Sequence, residues 1–448
     1  MRTGILSAAL LALVIHPAAA EARPKPKPAA PAAPVQLPYQ SANLPTSAQV
    51  RAFYAGWTYA PVWFNGNALK PGAANLVSVL QRAPLDGLAS GPQYAAQVQA
   101  AIQQAAAGTP QAIAFADHTL SEAFVLYAQA MSRPVPGMIY GYDRLKPTPP
   151  TPRELLIRAA GSPTLAGYVA EIANPNSVYT AIRDAAWQQM QASGTTVADP
   201  RVVANLDRAR PMPAKGRFAL VNNANQMLYM YENGVPVDSM KVIVGDNGKK
   251  YNLPTPMIAS IIYYTIHNPY WNAPDHLVKK NIAPLYLQQG MSYLKWRGYQ
   301  VMSDWTTNAS VIPASEVDWK GVAAGNVHIR VRQDPGPDNF MGHLKFPFAN
   351  PEDIYMHDSP EKELFAHKDR MLSNGCIRLE DAKRFGRWLL GHDPVAPSTQ
   401  PEYAEQLSSP VPVFVTYLTA QPQDGQLTFL PDVYGLDPAG STRVASGD

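Results

Sequence analysis

The spacing of apolar side chains between about residues 46 and 193 is that of amphipathic helices. An apolar residue recurs every three or four positions over several turns. Prolines interrupt the pattern, and a proline ends or bends a helix because it lacks the amide proton that interior turns need. The clearest stripes are Leu120, Phe124, Tyr127 and Met131, and Leu165, Val169 and Ile172. This part of the chain is therefore predicted to be helical.

From Gly216 onward the apolar positions follow the period of β-strands. Asn233-Gly234 separates two such runs, and this pair favours a two-residue hairpin turn because both positions tolerate positive φ. The predicted strands are 218–222, 227–231, 235–244, 258–266 and, near the end, 411–418. The pattern predicts an α+β multidomain protein, with a helical N-terminal domain followed by a mostly β domain.

The stretch 268–345 within the β part follows neither period. A segment this long without elements of its own in a compact domain tends to be functional. We therefore predict a lid insertion over 270–345. Trp271 lies near its start and is either a substrate-contacting aromatic or part of a core within the lid.

The N-terminus has the parts of a secretory signal peptide. Met1-Arg2 precedes a short apolar core, and Ala18-Ala19-Ala20 offers a small-residue cleavage site. Residues 1–20 are expected to be removed on export to the periplasm, and the Pro/Ala-rich residues 21–45 to form an extended linker. No later stretch is long and apolar enough to span a bilayer, so no transmembrane segment is expected in the mature chain. The remaining predicted bounds are 46–195 for the helical domain, 210–420 for the β domain and 421–448 for a C-terminal tail.

Composition agrees with folded domains and argues against one class of partner. Apolar residues make up 46% of the chain and charged residues 16%, which is typical of globular proteins. The 37 basic and 34 acidic residues give a net charge of +3, and there is no basic run. No nucleic-acid partner is expected.

Cys376 is the only cysteine of the 448 residues. In an exported protein a lone cysteine indicates either intermolecular pairing or a reactive thiol. It follows a polar turn, Ser373-Asn374-Gly375, and His357 lies nineteen positions earlier. A thiol and an imidazole can form a nucleophilic site, in which the imidazole takes the thiol proton and the thiolate attacks a carbonyl. The alternative is a small buried hydrophobic residue.

Two features after Cys376 are predicted to lower the pKa of its thiol. Arg378 favours the thiolate electrostatically. Helical spacing predicts a helix directly after the cysteine, and the positive end of its dipole would act in the same direction. The residues with this spacing are Leu379, Ala382, Phe385 and Leu389.

The segments 354–360, which contain His357, and 373–379, which contain Cys376, resemble the motifs of L,D-transpeptidases with a YkuD-type catalytic domain. Residues 59–63 and 85–88 are similar to stretches of the scaffold domain in the large periplasmic branch of that family. The resemblance covers about 46–437 and implies a helical scaffold domain, a mostly β catalytic domain and a capping insertion. The aromatic residues at 53–64 are expected to be core rather than a sugar-stacking platform. The peptidoglycan-binding module of the largest members has no counterpart, since only 194–213 separate the two domains.

The resemblance implies an activity on peptidoglycan. The donor would be a tetrapeptide stem ending in diaminopimelate–D-alanine, and the acceptor the side-chain amine of another diaminopimelate, giving a 3→3 cross-link with release of D-alanine. Neither a cofactor nor a metal is implied. The resemblance implies Cys376 as the nucleophile and His357 as the base, with the main-chain carbonyl of Asp358 fixing the histidine tautomer. It implies an oxyanion-binding turn formed by Ser373, Asn374 and Gly375. The implied substrate contacts are Tyr355, Arg378 and Trp271.

Other chemistries fit the sequence less well. Ser359-Pro360-Glu361-Lys362 has the Ser-x-x-Lys spacing of serine acyltransferases, but no Lys-Thr-Gly follows it. The histidines lack metal-ligand spacing. The same cysteine site could use water, a protein lysine or a free D-amino acid as acceptor, or release a tethered envelope protein. A different class of protein, a wall-binding scaffold with an inert cysteine, also stays open.

Overall fold

The first part of the chain is helical in the computed structural model, which describes residues 47–58, 60–248 and 252–438. The predicted signal peptide and linker lie outside these residues, as do the last positions of the predicted tail. The helices are α1 (Ala48–Ala55), α2 (Gly72–Arg82), α3 (Gly91–Ala105), α4 (Pro110–Met131), α5 (Pro152–Gly161), α6 (Leu165–Ala173), α7 (Ser177–Ser193) and α8 (Pro200–Ala209), with short strands β1 (Phe64–Asn65), β2 (Ala68–Leu69) and β3 (Ile139–Tyr140). The prediction of a helical N-terminal region is confirmed.

The aromatic residues before α2 belong to the core of the helical region. Trp63 is fully buried and Phe53 nearly so. The buried carboxylate of Asp117 on α4 accepts the main-chain N–H of Trp63 at 2.7 Å and the hydroxyl of Tyr54 at 2.6 Å. Core packing, rather than a sugar-stacking platform, is therefore the correct interpretation of these buried rings.

The β part begins with the four strands that the sequence predicted: β4 (Arg217–Asn222), β5 (Met227–Glu232), β6 (Val235–Gly245) and β7 (Ile258–His267). Asn233 and Gly234 both have positive φ, at 50° and 81°, as their hairpin turn requires. Phe218 packs into the core shared with the helices, whereas its neighbour Ala219 packs into a second core on the other face of the sheet. Burial on both faces explains why β4 is a nearly continuous apolar run.

The segment predicted to be irregular is instead a small subdomain with its own core, here called the capping subdomain (271–340). It contains β8 (Trp271–Asn272), α9 (Asp275–Leu277), a π-helical turn (Val278–Ile282), α10 (Ala283–Gln289), α11 (Met291–Arg297), β9 (Tyr299–Met302), β10 (Val311–Ile312), α12 (Trp319–Ala324) and β11 (Arg330–Gln333). Its strands pair in the order β10-β9-β11-β8. Val301, Trp319 and Val331 are buried at its centre. Elements of two to seven residues are too short for a period to show in the sequence, which is why this stretch was expected to lack elements of its own. Its function as a lid stays a prediction.

The chain then completes the large sheet. The remaining elements are β12 (Leu344–Pro347), β13 (Tyr355–His357), β14 (Met371–Ser373), β15 (Ile377–Leu379), α13 (Ala382–Leu390) and β16 (Tyr403–Thr416). Eight strands pair in the order β12-β13-β15-β6-β5-β4-β16-β7, and β7 pairs again with β12, so the sheet closes on itself. One of its faces packs against α13 in the second core. Within this order β13 and β15 lie side by side.

The end of the described chain packs against the helical region. Residues 420–429 form a hairpin of β17 (Ala420–Gln423) and β18 (Gln426–Phe429), and Asp437 pairs with the buried Arg208 of α8 at 2.7 Å. Asn205, also on α8, accepts the N–H of Ala420 at 3.0 Å. The chain is therefore packed from 420 to Asp437, where a C-terminal tail was predicted, and the stretch 194–213 between the two predicted domains contains the packed helix α8. Over the described ranges, none of the helices has the length and apolar character needed to cross a membrane.

Candidate active site

Two neighbouring strands place the predicted reactive residues on one face of the sheet. β13 and β15 are parallel, with Met356 opposite Ile377 and His357 opposite Arg378. Met356 and Ile377 are fully buried in the core beneath. Because side chains alternate along a strand, Tyr355, His357 and Arg378 point to the other face. Cys376 immediately precedes β15, and its thiol is contacted by both the main chain and the hydroxyl of Tyr355.

His357 is held as a neutral base. Its Nδ1 lies 2.6 Å from the main-chain oxygen of Asp358. A carbonyl oxygen can only accept, so Nδ1 carries the proton and Nε2 is left with its lone pair. Burial first, and the positive charge of Arg378 second, lower the pKa of His357 to about 3. The imidazole is therefore uncharged at neutral pH and able to take a proton.

Cys376 does not have the surroundings that the sequence predicted. It is followed by the strand β15, which contains Leu379, and α13 begins only at Ala382. No helix N-terminus faces the thiol from this segment, so the predicted dipole effect is wrong. Burial raises the pKa of Cys376, while contacts from Tyr355 and the charges of Lys345 and Arg378 act against it. At neutral pH the resting group is a thiol rather than a thiolate.

The turn before the cysteine is held by its own hydrogen bonds. The Ser373 hydroxyl donates to the main-chain oxygen of Cys376 at 2.6 Å and accepts the N–H of Gly375 at 3.2 Å. Gly375 has φ +112°, and a β-carbon there would lie 3.0 Å from Ile354 Cδ1. Glycine is therefore required for this conformation. The N–H of Gly375 is engaged by Ser373, which leaves the N–H groups of Asn374 and Cys376 as the freer candidates for binding an oxyanion.

Arg378 forms an ion pair next to the site. Its guanidinium contacts the carboxylate of Glu361 at 2.5 Å. The ion pair fixes the side chain of Arg378, which belongs to the strand that follows Cys376. The ion pair favours a function of Arg378 in ordering the turn around Cys376. Contact of Arg378 with a substrate stays a prediction.

Lys345 is a neighbour of the site that the sequence did not indicate. It lies opposite His357 across β12 and β13, and its ammonium is 4.3 Å from the centre of the Tyr355 ring. Leu344 and Phe346 on either side are buried. A single charged residue between buried apolar ones was the available signal, but the strand pairing that brings it to His357 could not be deduced from it.

Trp271 lies in the capping subdomain and packs within it. Its ring centre is 4.7 Å from that of Phe340 and 6.2 Å from that of Tyr299. A different residue of the subdomain reaches the turn, since His276 Nε2 is 3.2 Å from Asn374 Oδ1. The sequence did not single out His276. Contact of Trp271 with a substrate remains a prediction.

The Ser-x-x-Lys match does not form the arrangement that a serine acyltransferase needs. Lys362 donates to the Asp358 carboxylate and to the main-chain oxygen of Glu380, at 2.8 and 2.9 Å, rather than to Ser359. In the part of the chain that the structure describes, no group of three or more His, Cys, Asp or Glu side chains could hold a metal ion.

Comparison with known proteins finds two family matches and a similar full-length protein. The family model of the L,D-transpeptidase catalytic domain, YkuD, matches residues 216–399, and that of the Scaffold domain matches residues 48–185. A Haemophilus influenzae protein described as "Putative L,D-transpeptidase" is 25% identical over 393 residues, which cover 86% of this chain and 77% of that protein.

Two solved structures show a weaker similarity. One is the Ldtfm–avibactam carbamoyl enzyme, with TM-score 0.21 and 12% identity over 46% of this chain and 50% of the other. The second is an L,D-transpeptidase from Mycobacterium smegmatis, with TM-score 0.22 and 10% identity over 45% of this chain and 58% of the other. The matches thus span only about half the length of these chains, and TM-scores this low carry no argument about fold or function.

Proposed function

Because this chain belongs to the L,D-transpeptidase family and joins a YkuD catalytic domain to a scaffold domain, we propose that it forms 3→3 cross-links in peptidoglycan through a thioester on Cys376. The observations that carry this proposal are the pairing of β13, which contains His357, with β15, the strand that directly follows Cys376, and the tie of His357 Nδ1 to a main-chain carbonyl, which leaves Nε2 as the base. That arrangement suits acyl transfer by a thiol and its base.

The reaction follows from the protonation states of the two residues. His357 Nε2 takes the thiol proton as sulfur attacks the carbonyl between the L-centre of diaminopimelate and D-alanine. The imidazolium then gives this proton to the leaving amine, and D-alanine departs from a thioester on Cys376. The side-chain amine of a second stem attacks the thioester, and His357 takes its proton as the new amide forms and the thiol is regenerated.

The turn and the neighbouring cations would support this sequence. The N–H of Cys376, and that of Asn374, are the donors we assign to the tetrahedral oxyanion. We assign the ammonium of Lys345, which lies over the Tyr355 ring, to binding a carboxylate of the stem peptide. We further propose a periplasmic location, and domain bounds of 46–195 for the scaffold and 210–420 for the catalytic part with its insertion at 270–345.

A product assay tests the reaction type. The purified chain is incubated with disaccharide-tetrapeptide, and the products are analysed by mass spectrometry. We expect a cross-linked dimer that has lost one D-alanine. Loss of D-alanine without a dimer would mean that water is the acceptor and would replace transpeptidation by L,D-carboxypeptidase activity. An unchanged substrate would contradict the proposal and favour a protein acceptor or a scaffold with an inert cysteine.

The pH dependence of thiol alkylation tests the resting state of the site. Burial raises the pKa of Cys376, so the thiolate fraction is small at neutral pH and grows only as the pH rises. We expect the rate of iodoacetamide modification to keep increasing beyond about pH 8.5, the ordinary pKa of a cysteine. In Tyr355→Phe, which lacks the hydroxyl contact that favours the thiolate, the rise should lie at still higher pH. A plateau already reached at pH 7 would show a stable thiolate–imidazolium pair and would contradict this description.

A further inference from the structure

Lys362 connects the two segments that carry the reactive side chains. It lies five positions after His357, in the 3-10 turn Lys362–Ala366. Its ammonium donates to the carboxylate of Asp358 at 2.8 Å and to the main-chain oxygen of Glu380, just beyond β15, at 2.9 Å. One end of this bridge is therefore the residue whose carbonyl binds His357, and the other end follows the strand of Cys376.

The carboxylate of Asp358 is fixed from several sides. It also accepts the N–H of His343 at 3.1 Å. A β-carbon at Gly342, which has φ +60°, would lie only 2.4 Å from Asp358 Oδ2, so the carboxylate occupies space that any other residue there would take. Burial acts to raise the pKa of Asp358, but the contacts with Lys362 and His343 hold it below its usual value. The carboxylate is charged, and its position constrains the carbonyl of the same residue.

The adjacent residue makes a second connection between the same segments. Glu361 pairs with Arg378, opposite His357 on β15. Two consecutive residues of opposite charge thus contact the segment after Cys376. Glu361 binds the side chain of Arg378, and Lys362 binds the main chain at Glu380. The Ser-x-x-Lys match in the sequence ends in this pair.

We propose that Lys362 is a positioning residue for acyl transfer, which keeps the Asp358 carbonyl aligned on His357 Nδ1 and so directs Nε2 toward the thiol. The inference rests on the proposed function of Cys376 and His357. The Lys362 side chain is half exposed, and an exposed ion pair contributes only about 0–1 kcal/mol to folding. Its removal is therefore expected to affect the geometry of the site more than the stability of the fold.

Steady-state kinetics of Lys362→Met against Lys383→Met test the proposal. Lys362 and Lys383 both line a surface cavity beside Asp358, and Lys383 is an exposed residue of α13. Replacing Lys383 therefore removes a positive charge nearby without breaking the contacts of Lys362 with Asp358 and Glu380. We expect Lys362→Met to lower kcat by about tenfold, a loss in the transition state, with little change in KM. Lys383→Met should keep the wild-type kcat, and Lys362→Arg should recover part of the loss.

A double-mutant cycle separates positioning from general weakening of the site. Asp358→Asn keeps the main-chain carbonyl but removes the charge that Lys362 holds. If both residues act through one contact, the double variant should be no slower than the slower single variant. Multiplicative losses, an equal loss in Lys383→Met, or a loss of kcat that only follows a fall in the folded fraction would overturn the proposal.

The pH dependence of kcat gives a further test, because kcat falls at low pH as His357 becomes protonated. A purely structural function of Lys362 would leave the pH of this fall unchanged. Arg378 and Lys345 lower the pKa of His357, Asp358 raises it, and the ring of Tyr355 packs against the imidazole. The thiol of Cys376, which precedes the paired strand β15, is the other titratable group of this face. Without Lys362 the Asp358 charge is less neutralised, so the fall in kcat should move to higher pH by about one unit, while Lys383→Met leaves it in place. An unchanged pH for this fall together with a wild-type kcat would overturn the proposal.

The rate of Cys376 alkylation distinguishes a failure of the proposed transpeptidation from a failure of the positioning function proposed for Lys362. Iodoacetamide modification of Cys376 needs no wall substrate, and it should be slower in Lys362→Met than in Lys383→Met at the same pH. A wild-type chain that alkylates but gives no dimer would contradict the proposed function alone. Equal alkylation rates, with an active wild-type chain, would contradict the positioning function alone.

Discussion

Replacing Cys376 with alanine should abolish both the cross-linked dimer and the alkylation of the chain at this position by iodoacetamide. Cys376 is the only thiol in the sequence, so no second residue of the same chemistry can form the thioester. Removing a catalytic nucleophile typically costs about 10⁴-fold or more in rate. The product assay measures the first effect, and the intact mass of the chain after exposure to iodoacetamide measures the second.

The fold of Cys376→Ala provides the necessary control. The thiol is only partly buried, and its loss should cost no more than about 1 kcal/mol of folding free energy, so the melting temperature should change by a few degrees at most. Full activity in this variant would contradict the mechanism proposed for Cys376. Ser359→Ala would then be the next variant, because Ser359 is buried next to Asp358 and its hydroxyl has no hydrogen-bond partner within the described chain.

The parts of the fold that the sequence predicted are those with long, regular patterns. α4 runs for 22 residues, so its apolar stripe repeats over several turns. β4 to β7 are long enough to show their period, and Asn233-Gly234 marks one turn by its conformational preference alone. Local propensity and packing agree in these elements, which is why the prediction was right.

The parts that the sequence did not predict depend on contacts between distant residues. The capping subdomain is built from short elements that are ordered by a common core around Trp319 and Val331. The strand after Cys376 has three residues, and its pairing with β6 and β13 overrides the helical spacing that starts at Leu379. No local pattern carries this information.

The same distinction applies to the site. Cys376 and His357 stand out because few residues have their chemistry, and a lone thiol is conspicuous. Lys345 and Lys362 are ordinary lysines, and their positions near the site arise from the pairing of β12 with β13 and from the bridge to Glu380. The direction of the thiol pKa was also wrong from sequence, because burial depends on the packing of the whole domain.

Replacing His357 with glutamine should lower the rate of dimer formation by about 10² to 10⁴-fold, the usual contribution of a general base. Glutamine can still donate to the Asp358 carbonyl but cannot take the thiol proton at neutral pH. Because burial holds the pKa of His357 at about 3, the wild-type base is already neutral across the working range. The rate of the variant should instead increase with pH, as hydroxide deprotonates the thiol in place of the imidazole.

The matched control is His367→Gln, which changes an exposed histidine of the same loop region and should keep the wild-type rate and pH profile. A His357→Gln variant with wild-type activity would mean that another group takes the proton from Cys376. A variant whose activity is lost at every pH, although iodoacetamide still modifies the thiol, would have a different meaning. His357 would then be needed mainly to protonate the leaving amine of D-alanine, and not to generate the thiolate.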